Sequence, residues 1–451
     1  MRLMRSTAAP SPPVGDRRIS RLFFLLALPV LLALAGCAGE HPQSTINPHS
    51  DFAEIIHSLY VSIFWWTMLI LAVVWILLTW VVVKYRRKSE DEQPRQIRGH
   101  LGLEIGWTVG PALIVIAIAI PSIQAVFATQ RPVSEDAMEV HVTGHQFWWE
   151  FHYPEQGITT ANELWLPVDR PVNLRLHSND VIHSFWVPKL GGKRDLNPVP
   201  AVREGQERRY NWLYFTPLET GVFMGQCAEF CGQSHALMMK RVVVATEEGF
   251  QEWIDRWFRS EGADFPTEAP LESAGNPLDD RAAVAGSLSA NGGGDDAPVA
   301  ADLARDGGPE AGLNGYGSSA DPAVYRTASA TFGQDAPGAT AAAGLHSEDP
   351  LVTRGREVFL GSTCIACHAV QGTSAQGVIG PNLTLFGTRY TLGAGIMENN
   401  LENLIRWIQD PMGIKPAVAM PGVDYPGGNW PATGLSDEEV EAVAAYLLSL
   451  K

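Results

Sequence analysis

Within twelve residues, Cys227 to Met238, the chain sets two thiols, an imidazole and a thioether. The stretch reads Gly225-Gln-Cys227-Ala-Glu-Phe-Cys231-Gly-Gln-Ser-His235-Ala-Leu-Met238. Soft sulfur with imidazole is the donor set that suits copper. A mononuclear blue-copper site needs a single thiolate, so a second cysteine four residues on points to two thiolates bridging a pair of coppers. The competing reading is a disulfide, or a buried methionine beside a surface histidine. A second cluster, Cys364-Ile-Ala-Cys367-His368, has the spacing of covalent c-type haem attachment, in which two thiols form thioethers and the histidine is an axial ligand.

The first cluster closely resembles the copper-A loop of cytochrome c oxidase subunit II, and the resemblance extends over roughly residues 50 to 260. It implies a copper-A ligand set of His183, from Asp180-Val-Ile-His-Ser-Phe-Trp-Val-Pro188, with Cys227, Cys231, His235, Met238 and the backbone carbonyl of Glu229. It further implies a magnesium at the boundary with subunit I through Glu229. Electrons would arrive at the aromatic run Gly144-His-Gln-Phe147-Trp148-Trp149-Glu-Phe151. The family commonly has Trp where this chain has Phe147, which leaves Trp148 and Trp149 as further candidates. Glu104 matches a glutamate at the mouth of a proton channel; a carboxylate at a helix start equally suits the helix dipole. Gly380-Pro-Asn-Leu383 and the C-terminal helix resemble class I cytochromes c. That family's second axial ligand falls on Met420 of Met420-Pro421, with Met412 and Met397 as competitors.

Other elements must position these groups. Residues 1–36 read as a lipoprotein-type signal peptide: a basic start, a short apolar run, then Leu34-Ala-Gly-Cys37, which resembles a lipobox and marks Cys37 for lipidation. Residues 37–130 hold two apolar runs, about 59–83 and 105–127, each long enough to span a bilayer as a helix. Between them Lys84, Arg86, Arg87, Lys88, Arg95 and Arg98 form a basic loop that stays cytoplasmic, which places Cys37 and everything after residue 128 outside. Pro111 and Pro121 can bend the second span. Residues 131–260 change to short alternating strands punctuated by Pro and Gly, the pattern of a sandwich or barrel. The resemblance makes this a cupredoxin, a Greek-key barrel, closed by a short helix over 251–258. Residues 261–346 are rich in Ala, Gly, Asp, Ser and Pro and read as a flexible linker. Residues 347–451 form an all-α cytochrome c domain, whose last helix opens at the capping box Ser436-Asp-Glu-Glu439.

The net charge of −16 argues against nucleic acid as a partner. All five cysteines have places in these motifs, so none remains for a structural disulfide. The expectation is a multidomain membrane protein: subunit II of a bacterial haem–copper cytochrome c oxidase with its own cytochrome c. The resemblance implies the inner membrane, with copper and haem on the outer face, and subunit I and subunit III as partners. The upstream donor would be a cytochrome c or a cytochrome bc complex. One covalent haem c and two coppers would relay electrons to subunit I, which reduces oxygen with proton pumping. The alternative is a membrane-anchored copper and haem lipoprotein without an oxidase partner. A linker of roughly 85 residues spans roughly 50 Å root-mean-square. A tether of that length lets weak docking suffice, and cutting it near Gly292 would turn intrachain electron transfer into a bimolecular reaction.

Overall fold

A computed structural model describes residues 41–86, 99–132, 134, 136–198, 210–259 and 348–451. Cys37, the loop cations Arg87, Lys88, Arg95 and Arg98, and the linker 261–346 lie outside the described residues.

Two long helices come first: α1 (Asp51–Lys84) and α2 (Leu101–Ala128). Trp75, Ile76, Val83, Leu103 and Val115 point outward, an arrangement that suits lipid. Helix α1 begins eight residues before the expected span. Its N-cap, Ser50, accepts from Ala53 N at 3.1 Å and donates to Leu190 O at 2.6 Å. Phe52 is buried against Gly191 and Gly192, and Asp51 accepts from Thr216 N at 2.7 Å. The first turns of α1 are therefore docked on the β domain, and only the later turns are free for the membrane.

Ten strands follow: β1 (Met138–His145), β2 (Trp148–Tyr153), β3 (Ile158–Ala161), β4 (Glu163–Pro167), β5 (Val172–Ser178), β6 (His183–Trp186), β7 (Arg194–Leu196), β8 (Asn211–Phe215), β9 (Gly221–Cys227) and β10 (Met239–Ala245). They form two five-stranded sheets, β3-β2-β1-β5-β8 and β4-β10-β9-β6-β7. Two pairings are parallel, β1 with β5 and β10 with β4, and the other pairings within the two sheets are antiparallel. Strict alternation buries Val172, Leu174 and Leu176 of β5, and Trp149, Phe151, Tyr153, Phe185 and Phe215 fill the interior. Helix α3 (Glu247–Arg259) starts earlier than expected because Thr246 Oγ1 accepts from Gly249 N at 3.1 Å. It lays Phe250, Trp253 and Trp257 on the core.

The C-terminal domain comprises α4 (Pro350–Gly361), α5 (Cys364–Cys367), α6 (Leu401–Gln409), α7 (Pro411–Ile414), α8 (Asp437–Ser449) and a two-residue-per-strand ladder of β11 (Thr391–Leu392) with β12 (Met397–Glu398). Helix α8 opens at the expected capping box, Ser436 with Glu439. It crosses α4 in direct contact: a Cβ on Gly355 would lie 1.8 Å from the Ala442 carbonyl, so only glycine permits this approach. The domain rests on the sandwich, where Leu385, Val418 and Met412 join the sandwich core.

Candidate metal and haem sites

The copper-type ligands converge at one end of the sandwich. Strand β9 delivers Cys227 at its end, β6 opens with His183 beside it, and the loop before β10 supplies Cys231, His235 and Met238. The two Sγ atoms stand 3.8 Å apart, too far for a disulfide bond and near enough to share metal. His183 Nδ1 lies 3.8 Å from Cys227 Sγ, His235 Nδ1 lies 3.6 Å from Cys231 Sγ, and Met238 Sδ lies 3.8 Å from Cys231 Sγ. The Glu229 carbonyl is 3.2 Å from Cys227 Sγ. His183, both thiols and Met238 are buried. A dry cluster of sulfur and imidazole fits copper chemically. The hydrogen bond with Cys231 holds the Cys227 thiol down at about 3, and the same pairing pushes Cys231 up.

His183 is positioned by Asp180 and Gly144, neither of which is marked by ligand spacing in the sequence. Its Nε2–H donates to Asp180 Oδ1 at 2.8 Å, which leaves Nδ1 toward the thiol. Burial pulls the imidazole down, but Asp180 and Cys227 outweigh it and hold it above the usual histidine range. Asp180 also accepts from the backbone N–H of Gln146 at 2.6 Å and Val181 at 2.6 Å. Gly144 makes room for the ring: a Cβ there would sit 2.7 Å from His183 Cδ2. Lys240 is a further buried group beside the Cys227 end of the site. It is buried, with Nζ 4.0 Å from the Trp149 ring centre and donating to Gln226 O at 2.9 Å. A lysine inside the strand β10, two residues before the apolar run Val242–Val244, was the signal available for it.

The candidate haem-attachment residues Cys364, Cys367 and His368 line a cavity of about 310 Å³ together with Met420. Of the three candidate methionines only Met420 lines it. Met412 packs on the sandwich core instead, and Met397 packs within the cytochrome core. His368 Nδ1–H donates to Pro381 O at 2.8 Å, so Nε2 is free to face iron. Burial lowers this imidazole, against the pull of that carbonyl. A Cβ on Gly380 would lie 2.8 Å from His368 Cε1. Two free thiols, one oriented imidazole and one thioether around an apolar cavity fit a haem.

The opposite wall of the same cavity belongs to the β domain: His145, Gln146, Phe147, Trp148 and Asp180. Gln146 Nε2 donates to the Cys231 carbonyl at 2.6 Å, so this wall is one bond removed from the thiolate loop. The aromatic candidates divide. Phe147 and Trp148 line the cavity, and Trp148 stacks on His145 at 4.1 Å. Trp149 is fully buried in the core, 6.0 Å from the His183 ring. Glu104 is in the first turn of α2, exposed, and its Oε1 accepts from His100 N at 3.2 Å, the local capping contact its position suggests.

Comparison with known proteins finds three family matches along the chain. "Cytochrome C oxidase subunit II, transmembrane domain" matches residues 46–125 and "Cytochrome C oxidase subunit II, periplasmic domain" matches residues 156–246. "Cytochrome c" matches residues 352–451. The chain is similar to cytochrome c oxidase subunit 2 of Alkalihalophilus pseudofirmus, 32% identical over 426 residues, covering 93% of this chain and 94% of that protein. It is 31% identical to the Bacillus subtilis protein of the same name over 451 residues, covering 96% and 98%. It is also similar to quinol oxidase subunit 2 of Bacillus cereus, at 33% over 240 residues, but that match covers only 52% of this chain and 79% of that protein.

Proposed function

We propose, for a chain that belongs to the cytochrome c oxidase subunit 2 family, that it relays electrons from an upstream donor, through its own haem and copper sites, to subunit I. Oxygen is reduced in subunit I, which is a separate chain. The haem would be held covalently by Cys364 and Cys367 with His368 and Met420 as axial ligands. Two coppers would be held by His183, Cys227, Cys231, His235, Met238 and the Glu229 carbonyl. When bound, both groups supply reversible one-electron chemistry.

The observation that carries the reading is the shared cavity, with the haem ligands on one wall and Gln146, Phe147 and Trp148 on the other. The chain's own residues orient and exclude: Asp180 and the Pro381 carbonyl fix the two imidazoles, and the buried sulfurs keep water away. Phe147 and Trp148 serve as the face where electrons reach the copper end. Neither site requires a protein acid or base. In the assembled oxidase we place subunit I and subunit III as neighbours, a cytochrome c or cytochrome bc complex as donor, and the redox domains on the periplasmic face. The same reading includes proton pumping by the complex, with Glu104 at the channel mouth, a magnesium reached through Glu229, and a lipid on Cys37.

Metal and haem analysis of the purified chain tests this. The expected result is about two Cu and one covalent haem per chain. One copper with a free thiol, or a Cys227–Cys231 disulfide in the copper-loaded chain, sinks the dinuclear site. Met420→Ala is expected to abolish the long-wavelength sulfur-to-iron band and Met412→Ala to keep it.

A further inference from the structure

The contact between the two redox domains is built from buried polar groups, none of them a candidate metal or haem ligand, and Arg389, Thr391 and Lys415 among them also line the haem cavity. Glu163 opens β4, an edge strand of the sandwich, yet is only 3% exposed. Arg241 is its register partner on β10, and is 1% exposed. Both are covered by the cytochrome segment Arg389–Ala394. Glu163 Oε1 accepts from Tyr390 N at 2.8 Å, the Arg241 guanidinium donates to Thr391 Oγ1 and lies 6.0 Å from the Tyr390 ring centre, and Met239 N donates to Ala394 O at 3.0 Å. Arg389, also buried, adds a second cation facing Glu163. A second line of contact runs past the other flank of the haem cavity. There Lys415, 1% exposed, donates to Phe147 O at 2.7 Å and Gly393 O at 2.8 Å, and Ser234 Oγ donates to Pro416 O at 2.5 Å.

We propose that Glu163 and Arg241 form a latch for the segment 389–394, so that the cytochrome domain stays docked on the copper domain without help from the linker. This goes beyond the electron-relay reading, because association does not depend on either group being redox-active. It also reverses the expectation that a flexible tether makes weak docking sufficient. The physical division of labour is clear. Burial of Leu385, Val418 and Met412 against the sandwich core supplies non-directional affinity. The charged groups supply register, because a buried carboxylate that lost Tyr390 N and Arg389 would be left with one partner on its own domain.

The test uses the full chain in detergent, haem-loaded, with a protease site inserted after Gly292 and the haem absorbance followed through size exclusion. After cleavage at micromolar concentration, the haem-bearing fragment is expected to co-elute with the membrane fragment, whether or not copper is bound. Glu163→Arg sets a third cation against Arg241 and Arg389 and is expected to weaken association about 30-fold or more. Glu163→Gln keeps an acceptor for Tyr390 N and is expected to fall between the two. Copper uptake by each variant reports that its sandwich is intact. Separation of the unsubstituted chain on cleavage overturns the latch and leaves the tether. Co-elution of the cleaved Glu163→Arg chain overturns the assignment to Glu163. Loss of copper or haem with co-elution unchanged would count against the relay reading and not against the latch.

Discussion

Two imidazoles in this molecule do the same job by different means. His183 and His368 are each seated against a glycine, Gly144 and Gly380, with room for no Cβ. Each donates its far N–H at 2.8 Å, so that the other nitrogen faces its site. The acceptors differ. His183 has the Asp180 carboxylate and is held above the usual histidine range, while His368 has a backbone carbonyl and is held below it by burial. A carboxylate partner makes the ring a stronger donor to metal. A carbonyl partner fixes the tautomer and leaves the ring nearly neutral in character. The copper end therefore depends on a side chain that a single substitution can remove, and the haem end depends on the path of the backbone.

The largest expected effect tests the seats. Gly144→Ala must displace the His183 ring, since its Cβ would lie 2.7 Å away, and copper affinity is expected to fall about 100-fold, the upper end for residues that orient a ligand. Gly380→Ala, with its Cβ 2.8 Å from His368, is expected to shift the haem spectrum while covalent haem is retained, because in the proposed site Cys364 and Cys367 would still anchor it. Loss of covalent haem in Gly380→Ala, or unchanged copper binding in Gly144→Ala, would break the parallel.

A smaller effect tests the acceptors. Asp180→Asn can still accept one hydrogen bond but carries no charge, and is expected to weaken copper binding about 10-fold in equilibrium titration. Pro381→Ala keeps the carbonyl, so the haem spectrum should hardly move. Unchanged copper binding in Asp180→Asn would mean that the charge on Asp180 contributes nothing.

The candidate ligands were legible in the chain because their spacing is chemical: Cys227, Cys231, His235 and Met238 fall within twelve residues, and Cys364, Cys367 and His368 on one turn. The sheets and helices followed from period and caps, as at Ser436 and Glu439. What stayed hidden was pairing between distant segments. Asp180 stood three residues before His183 but its carboxylate could have capped a turn instead, a common use of Asp. Glu163, Arg241 and Arg389 look like solvated charges in sequence, and only the meeting of β4, β10 and the segment 389–394 buries them. The early start of α1 was hidden for the same reason, since Ser50 caps the helix and also bonds to Leu190, 140 positions away.

A third histidine shows what an imidazole beside a carboxylate does when no ligand site faces it. His141 on β1 donates Nε2–H to Glu139 at 2.7 Å, but its Nδ1 accepts from Arg175 at 2.7 Å. Burial, then Arg175, then His152 and His177 push it down to about 3, opposite to His183. The sign follows from proton uptake. Between the ordinary value of 6.5 and about 3, the unfolded chain binds a proton at this position and the folded chain does not. His141 thus contributes stability that is full above pH 6.5 and drains away as the solution is acidified toward pH 3. At pH 5 the ideal loss is about 2 kcal/mol, and screening at this partly buried site reduces it to about 1 kcal/mol. Urea unfolding of the copper-free fragment 130–260, followed by Trp fluorescence, should show the midpoint falling between pH 7 and pH 5. His141→Asn keeps a side-chain amide near Glu139 and Arg175 but cannot titrate, and should flatten that slope. An unchanged slope in His141→Asn would place the acid sensitivity elsewhere in the fragment, and the contrast with His183 would then rest on the hydrogen-bond geometry alone.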